Sequence, residues 1–213
     1  MNKKLNFSLE EYALRLDKTR RAMSERGIDL LIVSDPSNMS WLTGYDGWYF
    51  YVHQSVLVPL DGETIWYGRN HDRPGARRTA YMDESRLVGY PDRLVQAHTE
   101  HPMDYLSSML RDWGWDELVI GVEMDNYYFS AAALRPLECN LPRSSFVDAT
   151  SLVNWQRAIK SPQEIAYMRQ AARIVEKVHE RIVEVIEPGM RKNDLVAEIY
   201  STAIRGADGF GGD

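Results

Sequence analysis

Apolar positions along this chain change period several times, and each change marks an element. Tyr12, Leu16, Thr19 and Met23 share one helical face, between a Ser8–Glu11 capping box and a terminating Gly27. Ile28 to Val33 is then apolar without a break, the pattern of a strand buried on both faces, until Asp35-Pro36-Ser37-Asn38 interrupts it with turn chemistry. Phe50 to Pro59 and Thr64 to Tyr67 flank Asp61-Gly62, which predicts a β-hairpin. Further strands are predicted at Leu87 to Tyr90, Leu118 to Val122 and Ser145 to Asp148, with helices over Pro102 to Trp113 and Asn126 to Leu137. Tyr67 to Arg78 reads as an irregular polar loop. Helices alternating with buried strands, plus one hairpin, predict an α/β domain with a mixed sheet.

The pattern after this changes. Ser161 at an N-cap, Pro162 at the first helical position and Glu164 three residues after the cap open a helix. Ile165, Met168, Ala172, Val175, Val178, Ile182 and Ile186 carry it to a stop at Pro188-Gly189. Asn193 can cap a second helix, Asp194 to Ile204. Two helices with an apolar stripe and no sheet to cover it make an unfinished domain, and a protein ending at Asp213 is expected to be inactive and prone to associate. The glycine-rich close, Gly206 to Asp213, lacks the Lys and following helix of a phosphate-binding loop.

Composition narrows the function classes. The 213 residues carry a net charge of -6, with no basic stripe to offset it, which argues against nucleic acid as a partner. Cys139 is the single cysteine, so neither an internal disulfide nor a cysteine-based zinc site can form within one chain. No apolar run reaches bilayer length and the N-terminus has no apolar signal core, so the expected location is cytoplasmic.

Two stretches carry candidate chemistry. Trp41 to Gln54 crowds Trp41, Tyr45, Trp48, Tyr49, Phe50 and Tyr51 around Gly44 and Gly47, and ends in His53-Gln54. Such aromatics fill cores and strands, and they also make walls for a small cationic or zwitterionic ligand, worth ~0.5–2 kcal/mol per cation–π contact. Alternation would send Trp48, Phe50 and Val52 to one face and Tyr49, Tyr51 and His53 to the other, so at most half can line a pocket. In the second stretch Arg69, Arg73, Arg77 and Arg78 cluster in an acidic protein. A solvated loop is one reading; the other is a carboxylate site, because a guanidinium binds a carboxylate through two parallel hydrogen bonds. His71-Asp72 supplies too few ligands for a metal.

The run R-x-I-K-S-x-x-E-I-x-x-M-R-x-A from Arg157, followed by E-P-G-M-R-K-N-D-L, resembles the start of the catalytic domain in the creatinase/prolidase family of pita-bread hydrolases. D-P-S-N-M-S-W-L-T-G-Y-D-G-W, Y-V-H-Q, W-Y-G-R, G-A-R-R-T, G-Y-P-D and H-P-M-D-Y-L resemble the ectoine-hydrolysing branch of that family. The resemblance implies an N-terminal α/β domain over residues 1–155 and an incomplete pita-bread domain over 156–213, with the catalytic residues expected beyond Asp213. It implies hydrolytic opening of the cyclic amidine of ectoine, and of hydroxyectoine, to acetylated diaminobutyrate. It further implies a homodimer in which this domain reaches over the neighbour's active site, with Trp48, Tyr51, His53, Arg69, Asn70 and Arg77 as its substrate-binding contributions. No cofactor is expected on this branch, whereas the peptidase branch would bring two divalent metal ions and Xaa-Pro cleavage. A non-catalytic dimerisation or ligand-binding module is a further alternative.

Overall fold

The structure, a computed structural model, describes residues 3, 5–47 and 51–211. They fall into two compact units, Met1–Ala158 and Ile159–Asp213.

The first unit is built on a six-stranded mixed sheet of order β4-β3-β2-β1-β5-β6. Its strands are β1 Leu30–Val33, β2 Ser55–Pro59, β3 Ile65–Arg69, β4 Leu87–Tyr90, β5 Val119–Val122 and β6 Ser145–Asp148. The β1–β2 and β2–β3 pairs are antiparallel, and β3–β4, β1–β5 and β5–β6 are parallel. All four residues of β1 are buried, as a strand covered on both faces requires. Leu31 and Val33 enter one core with Met23, Trp66, Leu152 and Val153; Leu30 and Ile32 enter the other with Tyr67, Leu106 and Leu137. Those cores are closed by α1 (Leu9–Glu25) and α6 (Leu152–Ala158) on one side, and by α4 (Pro102–Asp112) and α5 (Ala131–Asn140) on the other. The α/β class with a mixed sheet is as expected.

Several elements differ from the sequence expectation, each for a local reason. Asp35 to Asn38 opens a helix, α2 (Pro36–Thr43): Asp35 Oδ1 accepts the N–H groups of Ser37 and Asn38 at 2.9 and 3.0 Å, and Pro36 fits the first turn. The helix stops at Gly44, whose φ of 78° suits glycine and where a Cβ would meet the Tyr12 hydroxyl. The second strand begins at Ser55; residues 51–54 lie outside it, and Phe50 lies outside the described residues. Tyr67 to Arg78 is no irregular loop. It finishes β3, makes a 3-10 turn at Asn70–Asp72 and continues as α3 (Arg73–Thr79), with Pro74 in the first helical turn. Helix α5 starts five residues later than Asn126, because the Asn126 side chain accepts the Tyr128 N–H and holds a turn there instead. On α1 Arg15 is fully buried while Leu16 is only partly so.

The second unit is a helix pair, α7 (Pro162–Val185) packed with α8 (Lys192–Arg205). The Ser161–Glu164 capping box forms as the sequence indicates. Helix α8 begins at Lys192 with Arg191 as its cap, so Asn193, the expected cap, lies inside the helix. Arg181 Nε reaches Glu198 at 2.9 Å between the two helices. Met168, Val175, Ile186, Tyr200 and Ile204 are exposed, and neither helix holds a buried residue. Among the described residues no helix is long and apolar enough to cross a membrane.

Candidate functional site

Parallel pairing of β3 with β4 sets Arg69 opposite Tyr90 at the ends of their strands. The turn that follows β3 folds Asp72 back beneath the guanidinium, which it meets through two parallel hydrogen bonds, Nε–Oδ2 at 3.0 Å and Nη2–Oδ1 at 2.7 Å. Asp72 is buried, so the pair is shielded from solvent on the carboxylate side. Tyr51 covers the outer side: its hydroxyl is 3.4 Å from Arg69 Nη2 and its ring 5.6 Å from the guanidinium carbon. One bidentate edge of Arg69, Nε with Nη2, is therefore engaged by Asp72, and the same Nη2 reaches Tyr51.

The Tyr90 hydroxyl donates to the His53 carbonyl at 2.8 Å, which ties the segment before β2 to the edge strand β4. His53 Nε2 lies 3.1 Å from His101 Nε2. His101 is the N-cap of α4; its Nδ1 accepts the Met103 N–H, and Asp104 Oδ2 accepts the His101 backbone N–H to complete a capping box. Together Tyr51, His53, Tyr90, Gln96, Glu100 and His101 line a cavity of about 140 Å³. Burial, helped by the neighbouring His101, pushes His53 down to about 4; burial also lowers His101 against the opposing pull of Asp104. Both shifts favour the neutral imidazole. Gln54 is buried, its Oε1 accepting the Tyr45 hydroxyl at 2.8 Å.

Of the sequence-predicted site residues, Tyr51, His53 and Arg69 thus come together. Asn70 follows directly in the turn, exposed and set close over Gly89 of β4. Arg77 stands apart on α3, exposed and 3.5 Å from Glu84. Trp48 lies outside the described residues. Exposed pairs of this kind contribute little, so Arg77→Ala is expected to change stability by less than about 0.5 kcal/mol in urea unfolding; a larger loss would show that the Glu84 pair is structural.

The first half of the aromatic run serves a different place. Trp41 and Tyr45 line a cavity of about 430 Å³ with Phe7, Tyr12, Arg15 and Arg157. The Arg15 guanidinium lies 3.9 Å from the Phe7 ring centroid and 5.2 Å from that of Trp41, and donates to the Trp41 carbonyl at 3.0 Å. A polar network sits at the carboxyl ends of the parallel strands β1 and β5. There buried Glu123 accepts the N–H groups of Ser34 and Asp35 and the amide of Asn38, and Asn38 in turn holds Asn154 and Arg157 of α6. Sequence reading missed His101, Asp72, Arg15 and Glu123 as partners. The H-P-x-D start of α4 was a legible cap signal for His101, and Arg69–Asp72 is a local pair set by the turn after β3; the contacts of Arg15 with Trp41 and of Glu123 with Ser34, Asp35 and Asn38 are long-range pairings that no local spacing announces.

Among the described residues no group of three or more His, Cys, Asp or Glu side chains could hold a metal ion.

The chain matches the creatinase/prolidase N-terminal domain over residues 15–159, and metallopeptidase family M24 over residues 166–212. It belongs to the creatinase/prolidase family. Ectoine hydrolase from Halomonas elongata is 59% identical to it, over 98% of this chain and 54% of that protein. Creatinase from a Bacillus species is 25% identical over 96% of this chain and 46% of its own. Among solved structures, a prolidase from Thermococcus sibiricus shares the fold at a TM-score of 0.74 and 18% identity, covering 97% of this chain and 52% of that one. The chain spans about half the length of the curated relatives it matches.

Proposed function

We propose that the protein carrying this chain is a hydrolase that opens the cyclic amidine ring of ectoine, and of hydroxyectoine, to acetylated diaminobutyrate. The observation that carries the reading is the 59% identity to an ectoine hydrolase over nearly the whole chain. The chemistry of the site is consistent with it. Ectoine offers a delocalised amidinium and a carboxylate, which suit an exposed tyrosine face and a neutral histidine beside a fixed arginine. In this reading the described domain acts in a homodimer, presenting Tyr51, His53 and Arg69 to the neighbour's active site. The water-activating base belongs to the catalytic domain that α7 and α8 begin, and the reaction runs without a metal.

The test is a hydrolysis assay of ectoine and of a proline dipeptide with the complete reading frame, each with and without chelator. The expected result is chelator-resistant opening of ectoine with the dipeptide untouched. Chelator-sensitive dipeptide cleavage with ectoine unchanged would overturn the reading in favour of an Xaa-Pro peptidase, which the M24 match would accommodate.

A further inference from the structure

His101 makes two hydrogen bonds whose directions are linked. Its Nδ1 accepts the Met103 N–H at 3.1 Å, so a neutral ring must carry its proton on Nε2. That Nε2 faces His53 Nε2 at 3.1 Å, with the ring centroids 4.5 Å apart. His101 therefore donates, His53 Nε2 accepts, and the proton of His53 is left on Nδ1, which has no hydrogen-bond partner among the described residues. Free histidine prefers the opposite tautomer, so the pair imposes a choice that the isolated side chain would not make. We propose that His101 is a positioning residue that holds His53 as a neutral Nδ1–H donor for the carboxylate of a small zwitterionic ligand.

The ligand half of this inference rests on the proposed reading of the site; the tautomer half stands on geometry alone. The cap also decides against a metal bridging the two Nε2 atoms, because that would move the proton of His101 to Nδ1, against the Met103 N–H. Acid opposes the arrangement at both rings. A proton on His53 Nε2 would oppose the donor of His101, and a cation on His101 would sit at the amino end of α4 and lose the Met103 bond. The other ionisable groups facing the pair are Asp104 at the start of α4, Glu100 held by Arg93 across the cavity, Tyr90 on β4, and Tyr51 with the Arg69–Asp72 pair behind it. Asp104 favours a charged His101, and burial outweighs it.

The sign follows from the lowered affinity of the folded state for protons. Stability from neutral His53 is fully present above its ordinary value of 6.5 and is lost as pH falls towards about 4.

The test uses the full-length protein labelled with 15N at histidine, the His53 and His101 signals being assigned by substitution. Long-range proton–nitrogen spectra are expected to show His53 as the Nδ1–H tautomer and His101 as the Nε2–H tautomer, with His53 neutral until well below pH 6. His101→Asn keeps a strong helix cap and removes the partner. In that variant His53 is expected to shift towards the Nε2–H tautomer and titrate nearer 6.5, with helix content unchanged. In the complete protein the KM for ectoine should then rise roughly tenfold while kcat stays within about twofold. An Nε2–H tautomer for His53 in the parent chain, or an unchanged tautomer and titration in His101→Asn, would overturn the positioning role. The predicted tautomers with no effect on KM would remove the carboxylate ligand, and absence of any ectoine turnover in the parent would instead sink the functional reading on which that ligand rests.

Discussion

Glu123→Ala should lower the stability of the first unit by about 3 kcal/mol, the largest loss expected from a single polar substitution here, and reduce its melting temperature by roughly 6–12 °C. Its carboxylate accepts three N–H groups at 2.6–2.8 Å: the backbone of Ser34 and Asp35 and the side chain of Asn38. Ser34 and Asn38 are buried, so removing the acceptor strands donors that water cannot reach, at about 1–3 kcal/mol each. Burial raises the proton affinity of Glu123, opposed by those same donors. The effect extends beyond the immediate contacts. Asn38 also bonds Asn154 at 2.8 Å and Arg157 at 2.6 Å, so the carboxylate fixes the residue that secures α6, the last helix of the unit. Thermal unfolding of the variant beside Glu123→Gln, which is isosteric but turns one donor towards the N–H groups, separates lost volume from lost acceptors. Wild-type melting in both variants would show that the network carries no stability.

The contrast between that network and β1 explains how much of the molecule was legible. Ile28 to Val33 announces a buried strand because burial on two faces demands an unbroken apolar run. Ser161-Pro162-Gln163-Glu164 announces a helix start because the cap is made by neighbours in sequence. Arg73 to Thr79 reads as a loop because Pro74 and Gly75 resemble loop punctuation, whereas proline in a first turn is compatible with the helix that forms. The strand expected from Phe50 starts only at Ser55. Aromatic propensity marks residues that pack well in sheets; here Tyr51 lies on Arg69 and His53 on His101, neither inside a strand. In the site itself residue type was readable and partnership was not. Arg69 was legible as a carboxylate binder, but its carboxylate is three residues away in its own chain.

That pairing yields the second large effect. Asp72→Ala is expected to cost about 2–3 kcal/mol, because it leaves a guanidinium whose side chain is 14% exposed without the carboxylate that neutralises it. The figure lies at the low end for a broken ion pair, since Arg69 can swing towards solvent past Tyr51. Replacing both partners, Arg69→Met with Asp72→Leu, removes the stranded charge as well as the bond, and stability should return to within about 1 kcal/mol of the parent. The double variant therefore isolates function from folding. If Arg69 fixes Tyr51 over the amidinium as proposed, kcat/KM for ectoine should fall about a hundredfold in the complete protein although the domain melts normally, a loss of about 2.7 kcal/mol in transition-state stabilisation. Parent-like kcat/KM in a normally folded double variant would remove Arg69 from the site and leave its pairing with Asp72 as architecture alone. Loss of stability in the double variant equal to that of Asp72→Ala would show instead that Arg69 contributes through its packing against Tyr51 and Tyr90 rather than through its charge.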